Sequence, residues 1–357
     1  MNFQIKINLL FLMITSTFNL LCQSEMTSCD ESCHCIDDLT PAGIMISHVH
    51  PKSEWMLSYR YMDMGMEGVL SGTQKASEME VFNQYIMNST KMRMDMHMLM
   101  GMYGVTDRLT LMAMLNYNVN SMEMSMLTAH DHDHMGSTET MSNSTKMQMK
   151  TNGVGDSKLH LLCGLIKNEN HQLIFGGGIN LPSGSIQKKG TDLDMLYENK
   201  RLPYMMQLGS GTIDIIPSLT YTFQTGKLAF STQAVGTIRT SYNSIGYKYG
   251  NEGTFSSWFA VNWWNHLSSS IRVEASSIGK IQGKDKTIYT FNETATNPAN
   301  YGGQKVNMYI GLTYGFQAGF VKNNRLGLEF GVPVYQNLNG IQIKLKQVVT
   351  ASWSYSF

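Results

Sequence analysis

The chain has 357 residues, with 27 basic side chains balancing 27 acidic ones to a formal net charge of zero. That balance argues against a nucleic-acid binder, which needs a basic face. Beyond Leu21 no apolar run reaches the roughly 18 residues a spanning helix requires, which excludes a helical membrane protein. Thirty-two Gly, 17 Tyr and only 7 Pro fit one β-rich domain, and 22 of the 29 Met fall between Met45 and Met149.

Met1–Lys6 followed by the moderately apolar stretch Ile7–Leu21 reads as a secretory signal peptide, interrupted by Asn8, Thr15 to Thr17 and Asn19. Cleavage is expected near Cys22 or Gln23, which gives a leader over 1–22. A lipidated Cys22 is the alternative, and the bulky Leu20 and Leu21 before it fit that poorly. Residues 23–53 read as a flexible Cys- and His-containing segment. Cys29, Cys33 and Cys35 with His34 form either a soft-metal clasp or an oxidised tail. A disulfide between Cys33 and Cys35 would be strained at that spacing.

From 54 to 357 the apolar residues alternate in period two, the signature of half-exposed strands. Twelve strands are predicted, near 54–64, 86–103, 109–120, 157–167, 172–181, 212–224, 227–238, 254–264, 267–276, 304–320, 324–333 and 346–357. Connections after the even-numbered strands are short, and those after the odd-numbered ones are long, such as 121–156, 182–211 and 277–303. This is the pattern of a transmembrane antiparallel up-and-down β-barrel with periplasmic turns and long extracellular loops. The last nine residues, Val349–Phe357, place Trp353, Tyr355 and Phe357 on one face and small hydroxyls on the other. Such an ending resembles the terminal aromatic signal by which bacterial outer-membrane barrels are recognised for assembly. The expected location is the bacterial outer membrane, with its lipid as partner; the oligomeric state is not legible.

Phase assigns side chains to the two walls. Ile213, Ile215, Leu219, Tyr221 and Phe223 share a face opposite Asp214, Ser218, Thr220 and Gln224. A mid-depth Arg or Lys toward lipid costs roughly 2–4 kcal/mol, so Arg60, Asp214, Arg272, Glu274, Arg325 and Glu329 are predicted to line the lumen. The same argument places Arg93, Asp95 and His97 inside and turns the facing Met row, Met92 to Met102, toward lipid. On the neighbouring strands, Trp55, Leu57, Tyr59 and Tyr61 fill the outer face, so Met56, Met62, Met64, Met112 and Met114 are predicted inside. There their thioethers, with His97, could meet soft ions such as Cu(I). The loop over 121–156 adds His130, His132 and His134, able to gather borderline metals, or else is a tolerant surface loop.

The stretch Trp55–Met62 (WMLSYRYM) begins a resemblance covering most of the mature chain. It continues through MDMHM at Met94–Met98, DRLTLM at Asp107–Met112, GVGD at Gly153–Asp156 and LPSGS at Leu181–Ser185. Its most specific part is LPYMMQLGSGT at Leu202–Thr212, with LEFGVP at Leu328–Pro333 near the end. Together these resemble the Met-rich branch of the outer-membrane transporter family related to the MetA-pathway phenol-degradation proteins. That resemblance implies an outer-membrane barrel and, for its Met-rich branch, copper and heavy-metal handling; it assigns no binding residues.

Gly209-Ser210-Gly211 lacks both the Lys of a phosphate loop and the spacing of a hydrolase elbow, so it reads as a turn. No enzyme constellation is found. The main functional expectation is a transporter or channel for a small solute linked to copper-like metals. Channels for small aromatic compounds, with Tyr204, Trp258, Trp263 and Trp264 as possible mouth residues, and a metal-sequestering surface barrel are the alternatives. No resident cofactor is expected, and copper or another transition-metal ion is expected only as a transient passenger.

Overall fold

The computed structural model describes residues 39–127, 144–190, 200–264, 266–290 and 292–357. Its strands, in chain order, are β1 (Trp55–Gly72), β2 (Met87–Thr106), β3 (Leu109–Leu127), β4 (Ser144–Val154), β5 (Ser157–Lys167) and β6 (His171–Leu181). They continue as β7 (Asp214–Thr225), β8 (Leu228–Arg239), β9 (Glu252–Trp264), β10 (Leu267–Ile278), β11 (Gly303–Gly315) and β12 (Asn324–Ser356).

Thirteen strands of the described residues share one antiparallel sheet. Two of them, Gln74–Lys75 and β4, lie beyond the ring, and the other eleven close it through β12 against β1. The closure runs from Met56↔Ser356 to Gly72↔Leu338, and Trp55 and Phe357 exchange both backbone hydrogen bonds at 2.9 Å. Lipid cannot satisfy a free strand edge, so the closed ring is what makes a spanning sheet possible.

The 33-residue β12 is folded back on itself. Its first arm pairs with β11 up to Leu338, its second pairs with β1, and Gly340 turns between them at φ 64°. The arms lie side by side: Gln336 exchanges two hydrogen bonds with the Leu345 backbone at 2.9 and 3.0 Å, and Trp353 Nε1 donates to Asn324 Oδ1 at 2.9 Å. The wall is therefore crossed twelve times, in the positions expected from the alternation. The last outer connection is a tight turn rather than a long loop, because both arms extend past the predicted strand ends.

Ile215, Leu219, Phe230, Phe259, Ile271, Ile310, Leu328 and Phe330 are exposed on the outer wall. Their in-between neighbours Ser218, Thr220, Ser231, Ser256, Arg272 and Glu329 are buried within the lumen. Trp55, Trp263, Trp264, Tyr314 and Phe357 mark the short-turn end. β1, β2 and β3 run 18, 20 and 19 residues, about twice the 9–11 a tilted strand needs to cross the bilayer. Their outer halves continue past the apolar band. Residues 121–127 and 144–154, predicted as loop, are that extension, with β4 paired to β3 from Tyr117↔Val154 to Leu127↔Ser144.

Residues 39–50, grouped by the sequence with a flexible tail, run through the barrel interior instead, and residues 51–53 emerge exposed at the short-turn end. Leu39, Ala42, Ile44, Ile46, Val49 and His50 are all buried. The segment forms no strand, so its carbonyls need donors from the wall. Arg325 donates to Thr40 O, Arg60 Nη2 to Ile44 O at 2.8 Å, and Thr220 Oγ1 and Gln233 Nε2 to Ile46 O at 2.8 and 2.6 Å. Thr110 Oγ1 accepts from His50 N at 2.8 Å. Residues 1–38, with the predicted leader, lie outside the described residues.

Candidate functional site

The lumen divides into a polar side and a methionine side, with the 39–50 segment between them. On the polar side Arg272 meets Glu329 in a two-pronged pair at 2.8 and 2.9 Å and Glu274 at 2.6 Å, and its guanidinium stacks 3.7 Å from the Tyr309 ring centre. Tyr309 donates to Glu274 Oε1 at 3.0 Å. A side chain at Gly43 would strike both Arg272 and Glu329, so glycine there lets the segment pass directly over the ion pair. Farther out, Asp214 is fully buried, accepting from Arg239 Nη1 at 2.5 Å, Thr212 Oγ1 at 2.6 Å and Asn180 Nδ2 at 2.9 Å. Arg60, Asp214, Arg272, Glu274, Arg325 and Glu329 thus all stand on the inner wall.

On the opposite side, the pleat and register place methionines shoulder to shoulder across four strands. Met66, Met92, Met122 and Met149 form one such row, and Met56, Met102, Met112 and His160 another. Met92 and Met102 are each 1 % exposed, and Met112, Met122 and Met149 are 0 % exposed. Met114 is likewise buried, while Met62 and Met64 pack half-buried against the same clusters. Thioether chains of this kind give an apolar wall that adapts its shape.

The Met row of β2 therefore faces inward, which reverses the placement expected for Arg93, Asp95 and His97. These three point outward. Arg93 pairs with Asp63 at 2.8 Å and Asp95 at 3.2 Å, Tyr61 donates to Asp95, and Tyr59 Oη lies 2.7 Å from His97 Nδ1. The desolvation argument failed because it assumed hydrocarbon at this height. His97 and Asp95 pair with Tyr61 and Asp63 near the upper edge of a band only 9–11 residues tall, and Arg93 and the Tyr61 hydroxyl together partner the two carboxylates.

Cys29, Cys33, His34 and Cys35, and His130, His132 and His134, lie outside the described residues. Among the described residues no three His, Cys, Asp or Glu side chains gather as a metal would require. Of the proposed mouth aromatics, Trp263 and Trp264 are exposed at the short-turn end, while Trp258 is buried inside the barrel. Tyr204 belongs to a cap over the outer end. There it packs on Tyr247 at 4.8 Å, Tyr247 packs on Tyr249 at 5.6 Å, and Tyr249 donates to Tyr204 O at 2.8 Å. Burial pushes the hydroxyls of Tyr204, Tyr247 and Tyr249 up, so all three stay neutral. Gly211 turns at φ 70° ahead of β7, as its position suggested.

Two features were not read from the sequence. One is the pair His48 and His50 on the lumen segment, with Nε2 atoms 3.0 Å apart. An alternating His-x-His four residues before Glu54 was the available signal. The other is an apolar groove of about 700 Å³ on the outer wall across β7 to β11. Phe175, Leu219 and Phe255 stand around it, and Pro217, Gly236 and Gly253 leave it hollow. Beside it the β7–β8 ladder jumps from Ile215↔Ile238 to Ser218↔Val235, skipping Pro217, which has no N–H to give. Pro217, Gly236 and Gly253 each fall on the outward phase of a separate strand, the only trace of the groove in the sequence.

No family model matches the chain, and no curated protein does. Among solved structures, an outer membrane channel from Pseudomonas putida F1 is similar with a TM-score of 0.56 at 15 % identity, covering 87 % of this chain and 97 % of that one. A Pseudomonas aeruginosa FadL homologue follows with a TM-score of 0.39 at 12 % identity, covering 85 % and 89 %. The Pseudomonas putida toluene transporter TodX has a TM-score of 0.37 at 12 % identity, covering 86 % and 90 %. The chain has the fold of bacterial outer-membrane channels.

Proposed function

We propose that this protein is an outer-membrane channel for small apolar or aromatic solutes, which leave or enter through the barrel wall rather than along its axis. The observation that carries this reading is a pairing of two features. Residues 39–50 occupy the axis, with carbonyls held by Arg60, Arg325, Thr220 and Gln233. At the same time an apolar groove faces the outer leaflet where the β7–β8 ladder is broken at Pro217. A path whose outer end opens into lipid suits solutes that dissolve there, and the adaptable Met wall suits cargo without fixed polar groups. Copper-like cargo, the first expectation from the sequence, has less behind it: His97 points out of the barrel against Tyr59 and Tyr61, and the inward thioethers pack as apolar wall.

A side chain added at Gly253 would enter open space, so Gly253→Phe fills the groove without disturbing the wall. Gly101, on β2 across the barrel, is equally open and serves as the control. In cells lacking other channels, Gly253→Phe is expected to reduce uptake of a labelled monoaromatic to the level of cells without the protein, and Gly101→Phe to leave it unchanged. Full uptake by a correctly folded Gly253→Phe protein would refute passage at the groove.

A further inference from the structure

We propose that His48 and His50 form a binding site for a soft d10 cation of the Cu(I) class, completed by thioethers of the barrel wall. This goes beyond the solute reading and does not depend on it. The two imidazoles meet at right angles, with ring centres 4.7 Å and Nε2 atoms 3.0 Å apart. Two nitrogens bound tetrahedrally to one ion at about 2.0–2.1 Å lie about 3.3 Å from each other. The pair therefore needs to open by only a few tenths of an ångström.

The far nitrogens already face partners. His50 Nδ1 lies 3.4 Å from Glu54 Oε1, close enough that a small closing movement would make the carboxylate–histidine hydrogen bond that places the proton on Nδ1 and the Nε2 lone pair toward a metal. His48 Nδ1 lies 3.1 Å from Ser47 Oγ. When an ion enters, the proton held between the two Nε2 atoms moves to His48 Nδ1 on the Ser47 side. That shift turns both Nε2 lone pairs toward the ion and releases no proton to solvent.

The remaining donors decide which ion. A cavity of about 290 Å³ at the short-turn end is lined by His48, Glu54, Met45, Met56 and Met100. The lining also holds hydroxyls, amides and the Arg60 and Arg325 guanidinium groups; with Glu54 beside His50, its soft donors are the thioethers, which select Cu(I) over the harder divalent ions. The histidines belong to the lumen segment while Met56 and Met100 belong to β1 and β2, so a bound ion would fasten that segment to the wall.

The test uses the full mature chain folded in detergent, with Ag⁺ as a redox-inert probe and no thiol reductant, because Cys163 is disulfide-bonded. Calorimetric titration of the parent is compared with His48→Gln/His50→Gln, folding being checked by heat-modifiable migration. The double variant is expected to lose one tight Ag⁺ equivalent. Glu54→Gln should keep that equivalent but weaken it about 10–100-fold, the usual effect of removing a carboxylate behind a ligating His. Met100→Leu, which preserves packing, should weaken it for Ag⁺ while leaving any Zn²⁺ binding unmoved. A folded double variant that binds every parent equivalent overturns the site. So do Glu54→Gln and Met100→Leu proteins that both titrate like the parent, which keeps the test decisive should the double variant not fold.

Discussion

Replacing Glu329 with alanine is expected to cost the folded barrel about 3–5 kcal/mol, because it strands a buried guanidinium. Arg272 is 3 % and Glu329 0 % exposed at the side chain, and Arg272 makes two of its hydrogen bonds to that carboxylate. Glu274 would remain as a partner at 2.6 Å, which places the loss toward the lower end of the range. At Arg60, Glu329 also offsets the positive field of Arg272 and Arg325, so its removal is felt there as well. Urea unfolding in detergent, followed by tryptophan fluorescence, measures the change. The double replacement Arg272→Met with Glu329→Leu should be far milder than Glu329→Ala alone, since a buried pair exchanged for apolar side chains is often neutral. If the single variant unfolds at the parent's urea midpoint, the pair is solvated and the lumen is wetter than described.

A refolded chain lacking residues 39–50 should conduct where the parent does not. The segment crosses the lumen over the Arg272–Glu329 pair and is anchored by buried Leu39, Ile44, Ile46 and Val49. Removing it leaves an interior lined by Arg60, Arg325, Thr220 and Gln233, whose donors would turn to water. In planar bilayers the parent is expected to stay near baseline and the shortened protein to pass a steady ohmic current. Equal currents would mean that the segment does not obstruct the axis.

The strands were legible because lipid and water sort side chains in period two, and nine-residue stretches such as Val349–Phe357 carry that sorting without ambiguity. The predicted β5 bounds, 157–167, match the structure residue for residue. What misled was a single assumption about depth. On β2, charged and thioether faces compete for the lumen, and the charges were sent inward as though every position lay in hydrocarbon. The register puts Arg93 opposite Gly65 and Ser121, beyond the apolar band, where it is 57 % exposed and paired with two aspartates. Periodicity is silent about residues 39–53, because a chain held by wall donors rather than by ladder bonds has no reason to alternate. For the same reason His48 and His50 passed as tail residues, although their two-residue spacing was in plain view. The groove was hidden differently: Pro217, Gly236 and Gly253 are far apart in sequence, and only the register gathers them.

The proposed route, with the axis occupied by the lumen segment and passage at the outer groove, implies a sharp preference between solutes of similar size. The direct measurement is the initial rate at which cells bearing the protein as their sole outer-membrane channel take up toluene and, in parallel, glycerol. Toluene uptake should rise above that of channel-free cells while glycerol uptake stays at their level; accelerated glycerol entry with unchanged toluene would contradict passage through the wall.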